Sequence, residues 1–173
     1  MIDGDAVPAS IAVASALRAA DLPEETIYLA GDAASAAWTP DLPEADRRAW
    51  TLLVAASLEA QRRGDTRLAL PRADAAGASF LYAFLALPEL PDADRRGAMA
   101  LAARLRGERP HGLGEIVGAP GEYKPFIVDG GCLYHQRVLA VEEKLAAALR
   151  RRRGQRASGV SETALAEAVA AAA

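Results

Sequence analysis

The chain has 173 residues, a net charge of −3 and 51% hydrophobic residues, enough for one domain burying roughly 70% of its unfolded surface. The acidic balance excludes a domain that holds nucleic acid over its whole surface by charge, and the lone Cys132 excludes an internal disulfide and a cysteine-based zinc site. Aromatic residues are only 5% and alanine is abundant, so the core is expected to be close-packed helices meeting through small side chains. Asp3 and Asp5 stand where a signal peptide would be basic, and no stretch reaches the ~20 uncharged apolar residues of a membrane span. The expected setting is a reducing cytoplasm with no membrane partner.

The first predicted helix runs from Pro8 to Leu22, with Ile11, Val13, Ala14 and Leu17 as its apolar stripe and Leu22-Pro23 as its stop. Glu24-Glu25 is expected to open a short helix to Ala30 that Gly31 ends, and Ala33 to Trp38 is open between states. Asp41-Leu42-Pro43-Glu44 is a helix-start signal. That helix should reach Arg63 with Trp50, Leu53, Val54 and Leu58 on one face, and Gly64 should close it. Thr66 to Leu70 alternates as a strand, Pro71 to Gly77 reads as a loop, and Ser79 to Leu87 reads as a short helix stopped by Pro88. Asp92 opens a helix through Arg106 with Met99, Leu101, Ala102 and Leu105 inward. Gly107 to Lys124 reads as a connector with one helical turn near Leu113 to Val117.

Phe126-Ile127-Val128, the turn Asp129-Gly130-Gly131 and Cys132-Leu133-Tyr134 together predict a hairpin. Val138, Leu139, Val141, Leu145 and Leu149 then fall at helical spacing, and the helix ends in Arg150, Arg151, Arg152 and Arg153. Gln155 to Gly159 reads as a linker, and Ser161-Glu162-Thr163 as the cap of a last alanine-rich helix. Since the sequence stops inside that helix, it is expected to be a piece of a longer protein. The fold class expected is mostly α (α+β): a helical domain with a small antiparallel sheet of about three short strands and a C-terminal helix. The division expected is a domain at 1–153, with 154–173 as linker and the start of the next.

Three segments, in order and spacing, resemble the N-terminal domain of the RecD family, the alpha subunit of exodeoxyribonuclease V. They are Trp50 to Leu58 leading into Gly64 to Leu70, the pair Val117-Gly118, and Pro125 to Ala146 with Gly130, Leu133, Tyr134, Arg137, Glu142 and Ala146. Val138 and Leu139 depart from the pattern, standing where the family usually carries aromatic residues. The resemblance implies a non-catalytic interaction domain. It would dock an ATP-dependent 5′-to-3′ DNA helicase against a RecC-like subunit in double-strand-break repair and recombination. It implies DNA contact through the parent complex, and family-motif or partner-contact roles for Gly130, Leu133, Tyr134, Arg137 and Glu142. The motor's Gly-x-x-x-x-Gly-Lys-Ser/Thr loop would follow the present segment; neither Lys124 nor Lys144 sits in one. ATP and magnesium are therefore expected only for that motor, and no cofactor for this segment.

The remaining polar features have plain expectations. Gly112, Gly114 and Gly118 have the wrong spacing for a dinucleotide loop and read as a connector. Strand alternation sets Cys132 and His135 on opposite faces, so they read as a half-buried thiol and an exposed imidazole instead of a catalytic pair. Tyr134 is expected to pack its ring in the core with its hydroxyl bonded. Arg137 and Glu142 are five apart, a poor helical ion-pair spacing, and are expected to do separate jobs. The adjacent pairs Glu24-Glu25 and Glu142-Glu143 split around a helix and make no acid–base dyad. Arg150, Arg151, Arg152 and Arg153 could contact phosphate, which makes a small DNA-binding module the rival function. A domain without its neighbours is also expected to expose an apolar patch and to self-associate through it.

Overall fold

A computed structural model of the chain describes residues 9–36, 42–71, 79–107 and 112–154. Pro8, Asp41, His111, the loop after Pro71, the linker and the helix expected from Ser161 lie outside the described residues. By contact the chain divides into two compact units, Met1–Leu139 and Ala140–Ala173. The architecture is mostly α with a small sheet, as the periodicity predicts.

Helix α1 (Ala9–Ala19) buries Val13 and Leu17 and ends at Asp21, whose φ of 57° is a left-handed conformation that aspartate tolerates. Helix α2 spans Glu24–Ala36 and runs straight through Gly31, past its expected stop. A mid-helix glycine costs about 1 kcal/mol, and burial of Thr26, Ile27, Ala30 and Ala34 along the face packed on the next helix offsets it. Helix α3 (Glu44–Arg62) is the hub: every residue from Ala49 to Ser57 is buried, so no face is left to solvent there. It ends as expected. Gly64, at φ 96°, donates to the Gln61 carbonyl at 2.9 Å while Asp65 N–H reaches back to Ala60 at 3.0 Å.

Strand β1 (Leu68–Ala69) and helix α4 (Phe80–Leu85) follow, then helix α5 (Asp92–Gly107). Two ion pairs pin α5 to α3, Arg48 with Asp94 and Arg104 with Asp46. The hydrogen bond to the buried Asp94 carboxylate raises the pKa of the Arg48 guanidinium.

Strands β2 (Val117–Gly118), β3 (Phe126–Asp129) and β4 (Cys132–His135) complete a sheet of order β1-β4-β3-β2. The three expected antiparallel strands are present, with Leu68 opposite Leu133 and Val128 opposite Leu133 across the two ladders. A fourth strand was not expected: β2 lies parallel to β3, Val117 beside Phe126. Parallel neighbours ordinarily need a crossover of a dozen or more residues. Here only two residues pair, and a short loop with Gly121 at φ 87° suffices.

Helix α6 (Gln136–Gly154) leaves β4 directly, with Gln136 N–H donating to the Pro125 carbonyl at 2.9 Å. In the second unit the described residues are those of α6 from Ala140 onward. No helix among the described residues is long and apolar enough to cross a membrane.

Candidate functional site

Gly130 and Gly131 take φ of 54° and 76°, the paired positive values of a two-residue hairpin turn that joins β3 to β4. Gly131 has a second reason to lack a side chain. A Cβ there would lie 2.7 Å from Arg106 Cζ, because the Arg106 guanidinium lies against the turn and donates to the Leu70 carbonyl at 2.8 Å. Leu70 N–H in turn donates to the Gly131 carbonyl at 2.9 Å. One arginine of α5 thus ties the turn to the segment following β1. The doubled glycine is the only sequence signal of this clasp.

Alternation along β4 sends Leu133 and His135 toward α3 and Cys132 and Tyr134 to the opposite face. Leu133 is fully buried in the core. Tyr134 behaves as expected: its ring is buried and its hydroxyl accepts from Arg67 Nη1 at 3.1 Å. Cys132 is half-buried and points away from His135, so the two form no pair.

His135 corrects the expectation of an exposed imidazole. It is half-buried, its ring 4.8 Å from that of Phe126, and its Nε2 is 2.9 Å from Ser57 Oγ. The Ser57 hydroxyl donates to the Val54 carbonyl at 2.9 Å, so the imidazole must supply the proton of the second bond. Nε2 is then the protonated nitrogen, and burial pulls the His135 pKa below its ordinary value. With its proton committed to a helix carbonyl, Ser57 is placed as a structural hydroxyl and not as a nucleophile. A serine within an otherwise apolar helical run was the signal for this contact.

Arg137 is exposed and Glu142 partly exposed on α6. Five residues apart, they sit about 140° apart around the helix axis, which suits separate contacts. Arg150, Arg151 and Arg152 are exposed in its last turns, and Arg153 is described only as helical backbone. The apolar stripe of α6 is the unexpected part. Val141, Leu145 and Leu149 are exposed, although their spacing predicts a face buried against something.

A concavity of about 370 Å³ opens between the α1–α2 corner, the end of α3 and α4, lined by Leu22, Glu59, Arg62, Arg63, Phe80 and Phe84 among others. Its polar groups are engaged with one another. Glu59 accepts from Thr26 at 2.8 Å and from Arg62, and the Arg63 guanidinium lies 4.9 Å over the Phe80 ring. Such a lining holds two helix ends together. No group of three His, Cys, Asp or Glu among the described residues is placed to hold a metal ion. Compared with protein families, curated proteins and solved structures, the chain matches none.

Proposed function

We propose that this chain is a non-catalytic protein-interaction domain of the RecD type. In the parent subunit it would dock an ATP-dependent 5′-to-3′ DNA helicase to a RecC-like partner in double-strand-break repair and recombination. One observation carries the proposal. All four strands, β1 to β4, come from the segments on which the resemblance rests, and the helix packed with them contains Trp50 to Leu58. Residues that resemble a family only locally would have no reason to converge on one sheet. The test begins with the reading frame beyond codon 173. A strand and a Gly-x-x-x-x-Gly-Lys-Thr loop within a few tens of codons, together with co-purification of the RecC-like subunit of the same genome, are the expected results. A frame without that loop, or a partner that fails to co-purify, overturns the proposal.

The exposed Arg150, Arg151 and Arg152 favour a second function, contact with DNA phosphates. It predicts binding to duplex DNA that weakens steeply with salt and is lost when Arg150, Arg151, Arg152 and Arg153 are replaced by glutamine. Binding that survives those replacements removes it.

A further inference from the structure

We propose that the exposed face of α6 centred on Leu145 is a docking surface for an acidic amphipathic helix of a partner protein; the inference rests on the docking function above and names its face. Val141, Leu145 and Leu149 are 60%, 58% and 56% exposed, whereas most leucines of the first unit are buried. Each four-residue step advances about 6 Å and turns about 40°. The three side chains therefore form one slanting ridge about 12 Å long, the i, i+4 ridge with which helices pack into one another. A helix of this length gains most of its stability from what covers its apolar face.

The charges around the ridge select the occupant. Lys144 and Arg151, one heptad apart, line one flank, and Arg150 and Arg152 stand at its C-terminal end. A second copy is a poor fit in either direction. Antiparallel pairing sets the Lys144–Arg151 flank against itself, and parallel pairing sets the arginine run against itself. Like charges brought together across an interface are costly. A lipid surface is also a poor fit, since the ridge spans only about two turns and carries no Trp or Phe. A helix with an aliphatic stripe edged by Asp or Glu satisfies both features at once. It meets the ridge with its leucines and the basic flank with its carboxylates. A ridge this short makes a small interface, so the charges must add to it and the binding must be salt-sensitive.

The test uses the full chain and a fluorescein-labelled synthetic helix with two leucines per heptad and glutamate on both flanks, read by anisotropy. The expected result is saturable binding that weakens with salt. Affinity should fall about tenfold or more in Leu145→Glu, the centre of the contact. It should fall similarly in Lys144→Glu/Arg151→Glu, and a probe with lysine flanks should recover binding to that double variant. All these side chains are exposed, so the circular dichroism of the variants should match the parent. Equal affinity for parent and variants overturns the inference. So does capture by phosphatidylserine vesicles in place of the probe, or a dimer lost in Leu145→Glu without any probe binding. The RecC-like subunit separates the two proposals. If it binds parent and Leu145→Glu alike, docking stands and the α6 face is wrong. If it binds neither while the probe discriminates, the face stands and the family assignment fails.

Discussion

Nε2 of His135 and the hydroxyl oxygen of Ser57 lie 2.9 Å apart, joining the last residue of β4 to the middle of α3. Because Ser57 already donates to Val54, the contact exists only with a neutral imidazole protonated at Nε2 or with a charged ring that burial disfavours. The folded-state pKa of His135 is lowered by that burial, so the unfolded chain takes up the proton first as pH falls. Stability is then full above the unfolded value near 6.5 and declines as pH drops through it toward the folded value, no more steeply than about 1.4 kcal/mol per pH unit for one proton. Urea midpoints of the parent should fall between about pH 7 and pH 5. His135→Gln keeps an amide donor and cannot titrate, so its profile should be flatter. Parallel profiles would assign the pH dependence elsewhere.

Trp50 is fully buried, edge-on to Phe126 at 5.0 Å between centroids, and its indole N–H has no hydrogen-bond partner among the described residues. Trp50→Ala should cost about 3–5 kcal/mol through the cavity it leaves. Trp50→Phe should cost clearly less, about 1–2 kcal/mol, because it removes an unpaired buried donor together with part of the area. Denaturant titrations giving equal losses would show that the N–H carries no penalty.

Gly131→Ala should destabilise the domain by about 1–2 kcal/mol from its positive φ alone, with a further loss as Arg106 is pushed off the Leu70 carbonyl. In Arg106→Ala that second loss has already been incurred. A double-mutant cycle should therefore return a coupling of about 0.5–1 kcal/mol. Strict additivity would mean that the clasp contributes nothing.

Asp94 is held by Arg48 through two charge-assisted bonds, the Nε contact at 2.7 Å, with only 8% of the Asp94 side chain exposed. Arg48→Ala leaves that carboxylate buried and unpaired, a loss of about 3 kcal/mol. Arg48→Met/Asp94→Leu removes both charges and keeps the volume, and it should be the more stable of the two variants. The reverse order in thermal melts would mean that the pair is worth more than its desolvation.

Legibility in the sequence followed the strength of local signals. The Gly64 stop of α3 and the double-glycine turn were readable because a positive φ demands glycine at those places. The continuation of α2 through Gly31 was not. The compensation comes from Ala30 and Ala34 packing on α3, a tertiary effect that propensity cannot contain. Strand β2 hid in a glycine-rich connector because two residues are too few to show a period. For the candidate surface, the spacing of Val141, Leu145 and Leu149 showed an apolar face and said nothing of its exposure. His135 was misplaced because Ser57 is distant in sequence, and no local pattern announces a partner in another element.

Both borders of the sheet, β1 and β2, are two residues long, and the carbonyl of Leu70, just past β1, is already taken by Arg106. A border that short offers almost no ladder on which another chain could add a strand. Template-driven fibre growth from the folded state is thereby starved of its seed, and whatever this chain assembles with must be gripped by side chains instead of by backbone.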